Sequence, residues 1–339
     1  MVEAEMTELP RKYHAMVIDG PGKPLRATER PIANHGPREI LLEVLACGVC
    51  RTDLHILDGE IPVARYPVVP GHEIVGRVLA CGDEVQGIAV GDRIGVPWLG
   101  HTCGHCSYCQ LGAENLCDEP VFTGCTRDGG YASHVIADAQ FCFPLPARFS
   151  DVEAAPLLCA GLIGWRALRM AGDSRKIGFY GFGAAAHLLA QISVWQDRKV
   201  YAFTKAGDEN GQSFARTLGC VWTGGSDCKP PEILDAAIIF APVGGLVPAA
   251  LKAVRKGGLV ICAGIHMSDI PAFPYEDLWG ERTLMSVANL TREDGTTFLA
   301  AADRSGIVPA TTTFPLSQAN DALLAVREGR LNGAAVLVP

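Results

Sequence analysis

No stretch of this sequence approaches the ~18 uninterrupted apolar residues that a membrane span needs. The opening segment, MVEAEMTELPRKYHAM, has no basic start followed by an apolar run, so it does not read as a secretory signal. These two absences lead us to expect a soluble, cytoplasmic protein with no membrane partner. Lysine and arginine form no clustered run, and the net charge is −8, from 37 acidic against 29 basic residues. A nucleic-acid partner is therefore not expected. Internal repeats and low-complexity segments are absent too. Charge is sparse, at 19% against 48% hydrophobic residues, which suits a substantial core. The length of 339 residues sets a prior of about two domains.

Cysteine, by contrast, is abundant. Thirteen cysteines in a chain that reads as intracellular argue for metal binding and free thiols over a disulfide framework. Four of them, Cys103, Cys106, Cys109 and Cys117, fall within fifteen residues. Two consecutive C-x-x-C steps and a return cysteine after a short loop close four thiolates around one ion. Zinc takes such a tetrahedral set at about 2.3 Å per sulfur. A disulfide pair is the alternative, but C-x-x-C-x-x-C packs three thiols too tightly to pair off cleanly.

Up to residue 150 the pattern is β-rich. Short apolar runs (Glu39–Ala46, Gly76–Ala80, Arg93–Val96) alternate with turn signals such as Val69-Pro70-Gly71 and Val90-Gly91-Asp92. This spacing suggests a barrel or sandwich. The character changes near Ser150. Asp151 to Met170 reads as helical, followed by a strand, a glycine turn and an apolar helix running to about Gln196. Further strands are expected at Lys199–Phe203, Cys220–Thr223, Ala236–Phe240, Gly258–Ala263 and Leu284–Ala288, with helices at Asn210–Leu218 and Leu246–Val254. Alternation at this pitch implies an α/β unit, a parallel sheet with helices on both faces. Near the end come helices over Arg292–Asp303 and Ser317–Arg327 and a strand over Gly333–Val338.

The glycine turn is a G-x-G-x-x-A, placed after a strand and opening a helix, where a dinucleotide needs it. Gly181 makes the tight turn, Gly183 lets a pyrophosphate approach the backbone, and Ala184 begins the helix. Ala186 permits close helix–strand packing. The helix N-terminus then offers free N–H groups to the phosphates. The second strand ends in Phe203-Thr204-Lys205, with no carboxylate for the adenosine ribose. Nothing there repels a 2′-phosphate, and Lys205 is able to pair with one, so the pattern leans to NADP(H). The alternative is a solvated Lys205 and NAD bound without the acid.

Taken singly, the remaining motifs are ambiguous: a lone cysteine or histidine is usually core. In order along the chain, however, Gly48-Val-Cys50-Arg51-Thr52-Asp53-Leu54-His55, Gly71-His72-Glu73-Ile-Val-Gly76, the cysteine loop, Leu157-Leu-Cys159-Ala-Gly161 and the nucleotide turn closely resemble one family. The chain resembles a zinc-dependent alcohol dehydrogenase of the medium-chain dehydrogenase/reductase superfamily, over nearly its whole length. The resemblance implies a GroES-like β-barrel catalytic domain over 1–159 and 296–339, with a zinc loop at 101–118. It implies a Rossmann cofactor domain over 160–295, two zinc ions per chain and NAD(P)(H). Cys50, His72 and Cys159 match the protein ligands of a catalytic zinc, which keeps its fourth position open. Cys47 matches no ligand and reads as a core thiol.

The same resemblance places Asp53 behind the imidazole ligand, as metal-bound histidines require. It places Glu73 close behind the metal, either approaching it or acting from a distance. Thr52 matches the hydroxyl beside the substrate oxygen, and His55 the outer imidazole that passes the proton to solvent. Arg51 matches a pyrophosphate contact. Trp98 matches the aromatic wall of the substrate pocket, where it narrows the site toward unbranched primary alcohols or aldehydes; ordinary barrel core is the alternative. Ile163 departs from the family pattern, which often has Thr there. The implied partners are a small alcohol or aldehyde and other copies of the chain, as a dimer or tetramer. A polyol, cinnamyl or glutathione-adduct dehydrogenase is the runner-up. A non-catalytic zinc and nucleotide binder would be expected to lack Cys50, His72, Cys159 or Thr52, and all four are present.

Overall fold

The alternation of short apolar runs and glycine or proline turns produces two large sheets, besides two two-stranded ones, in the computed structural model, which describes residues 9–339. The first half of the opening segment judged above to lack a signal thus lies outside the described residues. Among the described residues no helix is long and apolar enough to cross a membrane.

The first sheet has seven strands. Its path runs Thr311–Pro315, Ala334–Val338, Glu39–Val49, Ile74–Cys81, Arg93–Val96, Phe143–Pro144, and His134–Asp138 also pairs with Glu39–Val49. Only the Thr311–Pro315 and Ala334–Val338 pair is parallel. Register shifts between Leu41 and Leu42 and between Val44 and Ala46 interrupt the longest strand. Such bulges bend a sheet and let it curl around its core. That core holds Ile40, Leu42, Val44, Ile74, Val78, Ile94, Tyr131 and Leu337. The expected barrel-type unit is present, and the closing strand of the chain completes it.

The second sheet has six parallel strands in the order Trp222–Gly225, Lys199–Thr204, Lys176–Tyr180, Leu234–Ile239, Val254–Cys262, Thr283–Ser286. In chain order this reads 3-2-1-4-5-6, the doubly wound dinucleotide-binding arrangement. Helices Ala160–Met170 and Ala184–Trp195 cover one face and Leu246–Ala253 the other, as parallel strands buried on both sides require.

Three local features differ from the sequence expectation. Asp151–Met170 is not one helix: Asp151–Ala154 passes into a 3₁₀ turn at Ala155–Leu158, and Ala160–Met170 starts afresh after Cys159. An additional helix, Arg51–Asp58, follows the longest strand. The final helix pattern, expected from Ser317, opens with a 3₁₀ turn and becomes α-helical at Ala319. The helix Arg292–Ser305 packs on both Ala160–Met170 and Ala184–Trp195, so the expected boundary at 295/296 falls inside an element attached to the parallel sheet.

Candidate active site and cysteine lobe

The strand Glu39–Val49 delivers Cys50 to the N-cap of the helix Arg51–Asp58. The Cys50 thiol accepts from the Thr52 N–H (3.5 Å), while the Cys50 N–H donates to Asp53 Oδ2 (2.9 Å). A reciprocal cap of this kind fixes the direction of the thiol. Asp53 is fully buried and also accepts from the Gly71 N–H and the Tyr131 hydroxyl, each at 3.1 Å. Its other oxygen-side neighbour is His72 Nδ1, at 3.3 Å. Gly71 has φ +96°, and a Cβ there would run into the Tyr131 ring, so only glycine turns the chain into His72 at this point. Cys159 arrives from the far side, at the break between two helical segments (φ −135°, ψ −67°).

Cys50, His72, Glu73 and Cys159 come together with one ligand atom each, all within 4.8 Å of one another. The two sulfurs are 3.7 Å apart. A tetrahedral ion with bonds of ~2.3 Å would place two sulfurs about 3.8 Å apart. His72 Nε2 and Glu73 Oε2 are buried, and neither has a hydrogen-bond partner. The Cys159 hydrogen bond drives the Cys50 thiol well below its ordinary pKa, and the same bond drives Cys159 well above. Burial pushes the Glu73 carboxyl up as well. Two thiols, an imidazole and a carboxylate so close, away from water, are mutually costly unless a cation joins them. The donor set therefore fits zinc. Gly48 makes room for it, since a Cβ there would fall on the Glu73 carboxylate.

The second cluster, Cys103, Cys106, Cys109 and Cys117, also lies within 4.8 Å. Backbone N–H groups point at its sulfurs: Cys103 and Glu119 donate to Cys117 (3.3 and 3.4 Å) and Cys106 donates to Cys103 (3.3 Å). The Asp118 N–H is the chief cause of a Cys106 pKa lowered to about 6, whereas burial raises Cys117 to about 12. Such amide-to-sulfur bonds suit thiolates holding an ion. No cysteine is paired in a disulfide. His101 is bonded to Asp138 and His105 to the Cys103 carbonyl, which leaves both outside the cluster. Cys47 is buried in the barrel core, as expected.

Around the first cluster, Thr52 Oγ1 lies 3.6 Å from Cys50 Sγ, and His55 Nδ1 is 2.5 Å from Glu60 Oε2. The Trp98 ring meets His72 edge-on, with centroids 5.0 Å apart, and stacks on Phe122 at 4.9 Å. Trp98 thus belongs to the barrel core and also touches the first cluster.

On the nucleotide side, Gly181 ends its strand with φ +90°, and a Cβ there would press on the Ala241 backbone at 2.9 Å. Gly183 faces open space, and the helix Ala184–Trp195 opens directly after it, with Ala186 fully buried. Lys205 is exposed, whereas Thr204 is buried: its hydroxyl donates to the Lys205 carbonyl (3.0 Å) and accepts from Gln212 (3.2 Å). Arg51 is exposed and donates to the Val326 carbonyl at 3.5 Å, next to Arg327, whose guanidinium forks onto Asp58 (2.7 and 2.9 Å). Sequence reasoning did not single out Glu60, Tyr131 or Arg327. Each meets the site only through the fold, and no short motif marks them.

Comparison with known proteins agrees with this geometry. Residues 36–147 match the family described as alcohol dehydrogenase GroES-like domain. The chain is 43% identical over 323 residues to a probable alcohol dehydrogenase AdhA of Mycobacterium tuberculosis, covering 93% of each chain. It is 32% identical over 324 residues to an alcohol dehydrogenase of Geobacillus stearothermophilus, covering 92% of this chain and 94% of that one. Among solved structures, a cinnamyl alcohol dehydrogenase from Sorghum bicolor has the same fold, with a TM-score of 0.88 at 23% identity over 96% and 97% of the two chains. With likeness of this extent joined to two clusters fit for metal and a doubly wound nucleotide sheet, the chain belongs to the zinc-type medium-chain alcohol dehydrogenases.

Proposed function

We propose that this alcohol dehydrogenase is zinc-dependent, with one ion held by Cys50, His72 and Cys159 for chemistry and a second held by the cysteine lobe for structure. The observation that carries the first assignment is the pair of sulfurs 3.7 Å apart beside a buried, unbonded His72 Nε2. A bound zinc would lower the pKa of an alcohol hydroxyl toward neutrality, and a bound nicotinamide would supply the hydride acceptor. The remaining work falls to side chains. Asp53 keeps the His72 ring aimed. Thr52 Oγ1 accepts the alcohol proton as it releases its own hydroxyl proton onward, and His55, braced at Nδ1 by Glu60, releases a proton to solvent in turn. Glu73 adds negative charge behind the metal.

Trp98, edge-on to His72 and stacked on Phe122, supports unbranched primary alcohols and aldehydes as substrates. An aryl-conjugated alcohol of cinnamyl type is the second reading. We lean to NADP(H), because Lys205 stands at the end of the second strand where a carboxylate would select NAD. Arg51 supplies positive charge for the pyrophosphate. Of the two domains, the barrel takes 1–159, and we place the chain's return to it after the helix Arg292–Ser305, not at 296. Thirteen unpaired cysteines support a reducing, cytoplasmic setting, and the family supports a homo-oligomer, dimer or tetramer.

Initial rates with NADH and NADPH on hexanal, benzaldehyde, cinnamaldehyde and a ketone test the cofactor and substrate proposals together. Faster turnover with NADPH on the primary aldehydes is expected. Equal or greater turnover with NADH would remove the role given to Lys205, and ketone preference would remove that given to Trp98.

A further inference from the structure

The cysteine lobe patterns its surface the wrong way round for an isolated zinc knob. Its apolar Leu111 and Leu116 are 81% and 45% exposed, while its polar Glu114 and Asn115 are each 7% exposed. A buried carboxylate is unfavourable unless it is fully bonded. Glu114 is: Oε1 accepts from the Arg292 N–H (2.8 Å) and Nε (3.0 Å), and Oε2 from Nη2 (2.7 Å) and Nε (3.2 Å). Burial alone would raise its pKa, but the bonds from Arg292 outweigh it and hold the carboxyl below the ordinary value. Asn115 Nδ2 donates to the Ala288 carbonyl at 2.7 Å. The lobe therefore grips residues 288–292 at both ends.

Those residues follow Thr283–Ser286, the last strand of the parallel sheet, at its carboxyl edge. Ligands of such sheets lie outside that edge, across the point where strand order reverses. Here the reversal is at Gly181. The half of the sheet carrying Lys205 takes the adenosine, which leaves the half ending in Thr283–Ser286 for the nicotinamide. Asn289, in the middle of the gripped segment, has φ 60°. Its side-chain amide is buried with neither atom bonded within the protein.

The grip continues to the helix that follows Cys159. Thr291 caps the next helix, its N–H and hydroxyl donating to Asp294 Oδ2 (2.9 and 2.8 Å). Asp294 also accepts from Arg166 (2.6 Å) and Arg169 (2.7 Å), on the helix that begins directly after Cys159.

We propose that Glu114 and Asn115 are positioning residues for the nicotinamide cofactor: the cysteine lobe holds residues 288–292 in the shape that receives it. This rests on the dehydrogenase reading above. The lobe is then more than a clasp for its own loop, because its integrity sets cofactor affinity.

The test uses the zinc-loaded full-length protein and the variants Glu114→Gln and Asn115→Ala, the second being the milder. NADH and NADPH dissociation constants are read from nicotinamide fluorescence, alongside KM for cofactor, KM for alcohol, kcat and zinc per chain. Losing one buried bond of this kind is expected to raise the cofactor dissociation constant and KM about tenfold. The alcohol KM, the zinc content and kcat at saturating cofactor stay near wild type. Unchanged cofactor affinity in variants that merely melt at lower temperature would overturn the proposal. A wild-type protein that binds neither cofactor would instead overturn the dehydrogenase reading itself.

Discussion

His187 makes the folded protein acid-sensitive by an amount that the structure allows one to work out. It lies on the first turn of the helix Ala184–Trp195, fully buried, and its Nε2 accepts from the Ala310 N–H at 3.1 Å. An imidazolium has no lone pair for that bond, and burial pushes the His187 pKa down to about 4. In the unfolded chain it titrates near ~6.5. The unfolded state therefore binds more protons between these values, and stability rises with pH across the window. The contribution is fully present above the unfolded pKa and is lost as pH falls toward the folded one. At about 1.4 kcal/mol per pKa unit, the loss between pH 7 and pH 5 is about 2 kcal/mol.

The control is His187→Gln, whose amide oxygen is able to accept from Ala310 and does not titrate. Urea unfolding of both proteins at pH 7 and pH 5 gives four free energies. The wild type should lose about 2 kcal/mol more than the variant. Titration of the cysteine clusters is common to both proteins and drops out of the difference. Equal losses would refute the reasoning. The stakes extend beyond stability, because Gln191 on the same helix also bonds Val308 in both directions (2.9 and 3.2 Å). Together these residues tie the helix that opens after Gly183 to the segment leading back into the barrel.

Three further outcomes are expected. Gly48→Ala places a methyl on the Glu73 carboxylate, so it should cost ~1–3 kcal/mol in thermal or urea unfolding and lower kcat, with cofactor KM unchanged. Trp98→Ala opens the wall beside His72; kcat/KM for branched and secondary alcohols should rise relative to hexanol, with ~3–5 kcal/mol lost in stability. Cys106→Ser should lower the melting temperature and remove one zinc per chain while leaving the other, as metal analysis of the purified variant would read.

What the sequence made legible was what repeats at short range. The cysteine spacing, the strand–glycine–helix turn at Gly181 and the period of the β/α alternation each depend on residues within one element or turn, and each appears in the structure. What it hid depends on contacts between distant segments. Cys159 interrupts a segment that reads as helical from Asp151 to Met170, although Pro156 and Gly161 on either side of it are local signals of a break; a Cβ at Gly161 would also run into the Phe298 ring. The helix Arg51–Asp58 is short and capped by a cysteine, a residue outside the usual capping set, so no start signal announced it. The boundary expected at 295/296 lies within the helix Arg292–Ser305, whose Arg292 and Asp294 bond Glu114 of the cysteine lobe and Arg166 of the helix Ala160–Met170, partners more than a hundred residues away. Thr204 and Lys205 are adjacent in sequence, yet one is folded inward and only the other is exposed.

We propose a division of labour: Cys50, His72 and Cys159 carry the chemistry, and the four-cysteine lobe carries structure. Zinc per chain, measured with turnover on the same preparations of wild type and Cys50→Ser, tests it most directly. We predict two zinc ions per wild-type chain, and one in a folded Cys50→Ser protein that has lost turnover. A wild type that turns over with a single zinc in the lobe, or a Cys50→Ser variant that keeps its rate, would contradict the claim.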